Sequence, residues 1–517
     1  MTIDMLPETV HSIRLYFPYT SNSDAPPSKY VDFSNKIADL KIDNLINRAD
    51  FLNKDVYPSF LDSNLWQSQQ CLFDKRIHEF GNKLINGLEQ ESTTAGFFGL
   101  SPLRLSDDAI RVLNCGTPNS LGTGLSIELK KAAIQRLHDK GITPPIDGKG
   151  YPLMFNSVWF YSLNMGVGMM VIDVSFKQPK KGGTGINHLE EFQEINYIIS
   201  RNSNDHQSAT INWTPKNKTK GLSDIVDMLL PVDIGQPINL SKTKDHKNTY
   251  SYSYIATEHS LEYAERKNYL FRLSRKYNEL YLPENTDQQI DYFEPFLPIT
   301  HAFSLEGAAS YIDYSVYDGA IPESIKNFHR SAIPQAYAIL ILLTYAEYIF
   351  LREMATNTPD SERVDMRNPT EKNLVKLRSF RTKLYDFRLN FRYSQISSNT
   401  NHNLFCDTNK KALEIERILL ETSNDTQEIE LYISDQVSQQ QQQKLKVFGI
   451  IGSLFAVIIG WVDLWGLNFH QIIFEESTNN IPSIIVFITV LIGLSVAVIS
   501  TSGILSSSSK SNENDDK

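Results

Sequence analysis

The chain has 517 residues, 41% hydrophobic and 21% charged, an ordinary globular composition with length for two or three domains. Fifty Lys+Arg against sixty Asp+Glu give a formal charge of −10, which excludes a global basic footprint for nucleic acid. Cys71, Cys115 and Cys406 stand far apart and outside any CxxC pairing, which argues against a disulfide framework and a structural zinc site.

The first twenty residues carry acids early and no basic region followed by an apolar run, so no secretory signal is expected and the N-terminus is expected in the cytosol. His11–Phe17 alternates like a first strand. Ser126–Lys140, opened by Ser126 and stopped by Gly141, reads as a capped helix. Val158–Leu163 and Gly166–Phe176 read as the two strands of a hairpin turning at Asn164-Met165. Segments 178–188 and 201–222 are polar and rich in Gly, Asn and Lys, which predicts loops. Tyr250–Thr257 alternates tyrosine and serine like a half-exposed strand. Residues 1–325 are therefore expected to be an α/β cytosolic sensor domain.

From 326 to 446 the pattern turns helical and predicts a bundle and stalk. Pro334 can open a helix at its first turn. Gln335–Met354 is strongly apolar, but Glu347 interrupts it and Arg352 and Glu353 close it, which favours a buried helix over a span. Lys372–Ile396 carries Leu374, Leu377, Phe380, Leu384, Phe387 and Phe391 at three-to-four spacing. Lys376, Arg378, Arg381, Lys383, Arg388 and Arg392 form its other face, read as solvated rather than as a nucleic-acid groove. Asn409–Lys446 has no Pro or Gly, and its apolar seam predicts a helix continuing to about 467, with Ser423–Thr426 the weakest point.

Val447–Leu467 has one charge in twenty-one residues, and Ile484–Leu505 has none in twenty-two. As helices they would measure roughly 31–33 Å, the thickness of a bilayer core. Residues 447–505 are therefore expected to be a transmembrane domain with two spans, followed by a polar cytosolic tail at 506–517. Lys444, Lys446, Lys510 and Lys517 flank the pair, while the connecting loop has no Lys or Arg and carries Glu475 and Glu476. The positive-inside rule then puts both termini in the cytosol of a multi-pass protein of the cell (inner) membrane.

Gly449, Ser453, Ala456, Gly460 and Asp463 recur every three or four residues along the first span. Such a stripe serves close helix packing or lines a pore formed by several copies. A carboxylate inside a span is costly unless it faces water or a partner, so Asp463 favours the pore. Trp465-Gly466-Leu467-Asn468-Phe469 follows at once. Here the chain resembles the CorA family of divalent-cation channels, whose first of two C-terminal spans ends in a Gly-Met-Asn signature. Gly466 and Asn468 match that signature, and Leu467 replaces its methionine. The resemblance implies a CorA-like funnel, a homopentamer, and a selectivity filter of Gly466, Leu467 and Asn468. In it, Asn468 would hold a hydrated Mg²⁺ or another divalent cation, transported or regulatory, with Glu475 and Glu476 on the outer loop. No covalent cofactor is implied.

In the cytosolic part, Gly116–Ser126 and Lys180–Gly185 are Gly-rich stretches that could hold a phosphate, with Lys180, Lys181, Gly182, Gly183 and Ser126 as ligand candidates; an ordinary loop is the commoner reading of each. No GxSxG, HExxH or Walker loop occurs, so nothing points to an enzyme. Three functional readings follow. The first is a homo-oligomeric divalent-cation channel gated by its cytosolic domain, with the lipid bilayer and further copies of itself as partners. The second is the same pore opened by a cytosolic nucleotide messenger in antiviral defence, since CorA-like proteins accompany some type III CRISPR systems. The third is a membrane-anchored binding module without a pore. None requires direct nucleic-acid binding.

Overall fold

A computed structural model describes residues 11–21, 37–48, 55, 57–69, 74–77, 102–114, 125–129, 131–144, 150–163, 167–176, 188–201, 209–213, 218–219, 222–230, 240–242, 249–257, 260–278, 280–281, 290–356, 371–392 and 395–464. The chain is an α/β sheet region plus long helices, and it divides into two units. The first comprises residues 1–363 and 380–425, the second residues 364–379 and 426–517.

The first unit holds a mixed sheet. Its strands among the described residues are β1 (His11–Ser21), β2 (Trp66–Ser68), β3 (Leu103–Leu105), β4 (Leu125–Leu129), β5 (Tyr151–Leu163), β6 (Val167–Phe176) and β7 (Ala209–Trp213), followed by β8 (Lys218–Thr219), β9 (Leu240–Lys242), β10 (Tyr250–Thr257), β11 (Asp291–Phe296), β12 (Ile299–Phe303) and β13 (Gly307–Asp313). The order runs β11-β12-β13-β10-β1-β6-β5-β4-β7-β8, with β3 and then β2 added beside β5, and β9 beside β1. The described pairings are antiparallel except β10 with β13. The first-strand and hairpin expectations hold: β1 lies at the centre, and β5 pairs antiparallel with β6.

Strand alternation sends β1 side chains to two separate cores. Ile13, Leu15 and Phe17 face a layer formed by α1 (Ile42–Arg48), α2 (Asp107–Leu113), α3 (Lys131–Asp139), α4 (Leu189–Arg201), α5 (Leu222–Leu229) and α6 (Tyr263–Arg275). These helices have local reasons to start and stop. Ser106 accepts the Ala109 N–H at the head of α2, and Lys276 turns left-handed (φ 56°) to close α6. Tyr16 faces the opposite core. There, α7 (Glu323–Asn327) leads through a π-helical stretch, Phe328–Tyr337, into α8 (Ala338–Thr356), joined in the core by residues of α9 (Glu371–Asn390) and α10 (Thr400–Ala412). The final described helix, α11, spans Ile415–Leu464.

Several expectations change. β10 is buried along its whole length rather than half-exposed. Its tyrosines face α8 and α10, with the Tyr250 hydroxyl donating to Asn409 Oδ1 at 2.9 Å. Its other face meets the opposite layer, where the Ser253 hydroxyl donates to Asn196 Oδ1 at 2.6 Å. Ser126–Lys140 is not one helix: Leu125–Leu129 pairs in register with Ala209–Trp213, and the helix begins only at Lys131. Tertiary pairing overrides local helix preference there, and it also puts a strand inside the expected 201–222 loop. Pro334 does not open a helix but sits inside the π-helical stretch. There β1 supplies donors to the backbone: Arg14 Nη1 to Pro334 O, and the Tyr16 hydroxyl to Ala338 O, both at 2.9 Å. Arg14 Nε also pairs with Asp173 Oδ2 at 2.9 Å, so this buried cation is matched. α9 stops at Asn390, short of the expected Ile396. The expected helix from 409 is broken at Glu414, left-handed at φ 54°, and α11 starts after it, running unbroken through Ser423–Thr426.

Three histidines in the Tyr16-side layer, His301, His329 and His402, are buried. His301 Nδ1 meets Ser310 Oγ at 2.6 Å, and its ring stacks on Tyr337 at 5.2 Å. Burial pushes His301 down to about 3, and His329 and His402 down to about 4. Free histidine titrates near 6.5, so the unfolded chain takes up these protons first. Their contribution to stability is full above about pH 6.5 and is lost as pH falls toward the folded values. The melting temperature of the detergent-solubilised protein is expected to drop between pH 6.5 and 4, and His301→Phe is expected to flatten that slope. An unchanged slope in the variant would contradict this origin.

Candidate functional site

Among the described residues, two helical stretches are long and apolar enough to cross a membrane, Glu323–Ala355 and Ile415–Gly460. Their surroundings differ completely. The apolar window of the first is 83% buried, under the sheet and the neighbouring helices. The apolar window of the second is 0% buried. Within the second unit, Leu377 packs on Ile433 beside Ile429 and Val437, and Arg378 pairs with Glu430 at 3.7 Å. Beyond that patch the apolar side chains stand open. Phe448 is 70% exposed, and Leu445, Ile450, Leu454, Phe455 and Ile459 are exposed too.

The described part of the stripe lies on this helix. At 100° per residue, Gly449, Ser453, Ala456, Gly460 and Asp463 fall within a sector of about 80°. The first four are exposed. A Cβ at Gly449, Gly452 or Gly460 would meet nothing within 4 Å, so no described contact requires these glycines to be small. Ser453 donates its hydroxyl back to Gly449 O at 2.8 Å and Ile450 O at 2.9 Å, which satisfies the proton without water. Lys444 and Lys446 are exposed immediately before the apolar run. The face opposite the stripe is Leu, Ile and Phe, so the helix has one narrow weakly polar side and one broad oily side.

Asp463 lies in the last described turn of α11, with its side chain outside the described residues. Gly466, Leu467, Asn468, Glu475, Glu476 and the expected second span at 484–505 lie outside the described residues, as do Lys180, Lys181, Gly182 and Gly183. Ser126 is described, and it is a β4 residue paired with Asn212, not the start of a helix. It therefore offers no helix N-terminus to an anion. Among the described residues no group of three or more His, Cys, Asp or Glu could hold a metal ion.

One charged cluster was missed. Glu347, read from the sequence only as an interruption of an apolar helix, meets Lys410 Nζ at 3.0 Å and Arg392 Nε at 3.7 Å. A lone carboxylate in an apolar run was the available signal, but its partners lie 45 and 63 positions away.

The chain matches no protein-family model, and no curated protein matches it significantly.

The geometry makes a direct prediction about the two sides of α11. If the stripe faces water while the other side faces lipid, single cysteines at Ser453 or Gly460, in a chain with its native cysteines replaced and reconstituted into lipid, are expected to react with a water-soluble thiol reagent. Cysteines at Leu454 or Ile459 are expected to stay unlabelled. Equal labelling on both sides would remove the aqueous stripe.

Proposed function

We propose that the chain is a CorA-like homo-oligomeric membrane channel that passes Mg²⁺ or other divalent cations and is gated by its large cytosolic domain. The observation that carries this reading is the uncovered apolar half of α11, which leads straight into Gly466-Leu467-Asn468. An oily helix of this length needs lipid around it, and a narrow polar side needs a second environment. Several copies arranged around an axis supply both, with the stripe inward and the Leu, Ile and Phe side outward. Five is the number the resemblance implies.

The chemistry of the mouth is consistent with a hydrated divalent cation as cargo. Mg²⁺ dehydrates reluctantly and usually keeps several waters. A ring of Asn468 carbonyl oxygens would accept hydrogen bonds from those waters without stripping them. Gly466, lacking a Cβ, would let the backbones approach at a constriction. A ring of Asp463 carboxylates would raise the local cation concentration, as acidic rings do in cation pores. Glu475 and Glu476 would add negative charge at the outer entrance. Leu467 keeps the bulk of the family's methionine but not its shape, so the ion preference is this chain's own.

Reconstitution tests the proposal. Native mass spectrometry in detergent is expected to show a homo-oligomer, and Asn468→Ala is expected to abolish or deselect cation flux into liposomes with assembly intact. A stable monomer or dimer would leave only an anchor. Unchanged selectivity in Asn468→Ala would make the three-residue match coincidental.

A further inference from the structure

Glu347 is the one charged residue between Ala338 and Leu351, and it is 1% exposed. Two cations reach it. Lys410 of α10, itself mostly buried, meets one carboxylate oxygen at 3.0 Å, and Arg392, just past α9, faces the other at 3.7 Å. Arg392 also pairs with Glu416, in the first turn of α11. Two carboxylates and two cations thus form a neutral chain from the middle of α8, through α10 and the end of α9, to the start of α11. All four residues belong to the first unit.

The place where this chain ends is the joint between α10 and α11. Glu414 takes the left-handed conformation there (φ 54°), which is uncommon for a residue with a Cβ. Leu413 and Ile415, on either side of it, are buried in the core of the first unit. An apolar residue at 347 would fill a core at least as well as a buried ion pair does, so stability alone does not account for this network. The network is also graded: its inner members are buried, while Glu416 is 60% exposed and Arg392 is shared between the two carboxylates. Water and ions can therefore compete for it from the Glu416 end.

We propose that Glu347, Lys410, Arg392 and Glu416 form a charge latch that holds the first turns of α11 on the cytosolic body, and that opening it from the Glu416 end releases the Glu414 joint. The inference does not rest on the channel reading, because the latch lies wholly within the first unit and is read from backbone exchange rather than from ion flux.

Hydrogen–deuterium exchange of the full chain in lipid nanodiscs tests it at amides 415–422. Arg392→Gln and Glu416→Gln are each expected to speed exchange there at least tenfold, with β10 (Tyr250–Thr257) unchanged. Arg417→Gln is the control, since Arg417 pairs with Glu414 and Glu421 on the same stretch, and it is expected to stay within twofold of the unmodified chain. Raising sodium chloride from low to molar concentration is expected to speed exchange at 415–422 in the unmodified chain but not in Arg392→Gln. Glu416 lies on the exposed rim, so its variant keeps the test available if changes nearer Glu347 prevent folding. Exchange within twofold of the unmodified chain in both variants would overturn the latch. So would a rise in β10 that matches the rise at 415–422, because the network would then serve only global stability.

Discussion

Every long apolar surface in this chain has to be covered, and two helices meet that demand in opposite ways. α8 is covered by its own fold: the tyrosine face of the sheet, α10 and part of α9 close over it. The second half of α11 has comparable apolar character and no described cover. Each Leu, Ile or Phe kept out of water contributes about 1.5–3 kcal/mol, so leaving a run such as Leu445 to Ile459 in solvent carries a large cost. Lipid is the cover that fits a continuous helix, because a helix satisfies its own backbone groups. Ser453 follows the same rule by returning its hydroxyl proton to the helix backbone.

The first unit solves a related problem with polar groups. A sheet covered on both faces must pair whatever polarity it buries. β10 does so on each side, through Tyr250 with Asn409 and through Ser253 with Asn196. Asn409 passes the connection on, its amide donating to Thr344 of α8. Arg14 on the central strand joins Asp173 to the backbone of the π-helical stretch, where Pro334 breaks regular α-helical geometry. π-helical turns are uncommon and concentrate at functional sites. In this chain the stretch is tied to the sheet's central strand and runs directly into α8, the helix that carries Glu347.

Much of the architecture was legible because periodicity is a local signal. The central strand, the β5–β6 hairpin, the buried apolar helix around 335–354 and the uninterrupted run into 464 all follow from spacing. What failed depended on distant partners. Tyr250–Thr257 reads as half-exposed because serine looks like a solvent residue, and only the packing of α4 and α6 shows that its serine face is interior. Ser126–Leu129 reads as the start of a helix until Ala209–Trp213 pairs with it. The joint at Glu414 carries no Gly or Pro to announce it; buried neighbours hold it instead. That small residues share one side of α11 was legible from spacing alone, whereas Glu347 acquires meaning only when Lys410 and Arg392 are brought to it.

The central claim is that lipid covers the far half of α11. Spin labels placed singly at Leu431, Phe448, Phe455 and Ile459 of the nanodisc-embedded chain measure this through their relative accessibility to dissolved oxygen and to a water-soluble nickel complex. Phe448, Phe455 and Ile459 are predicted to be open to oxygen and closed to nickel, with Leu431 the reverse. Nickel accessibility at Phe455 equal to that at Leu431 would contradict the account.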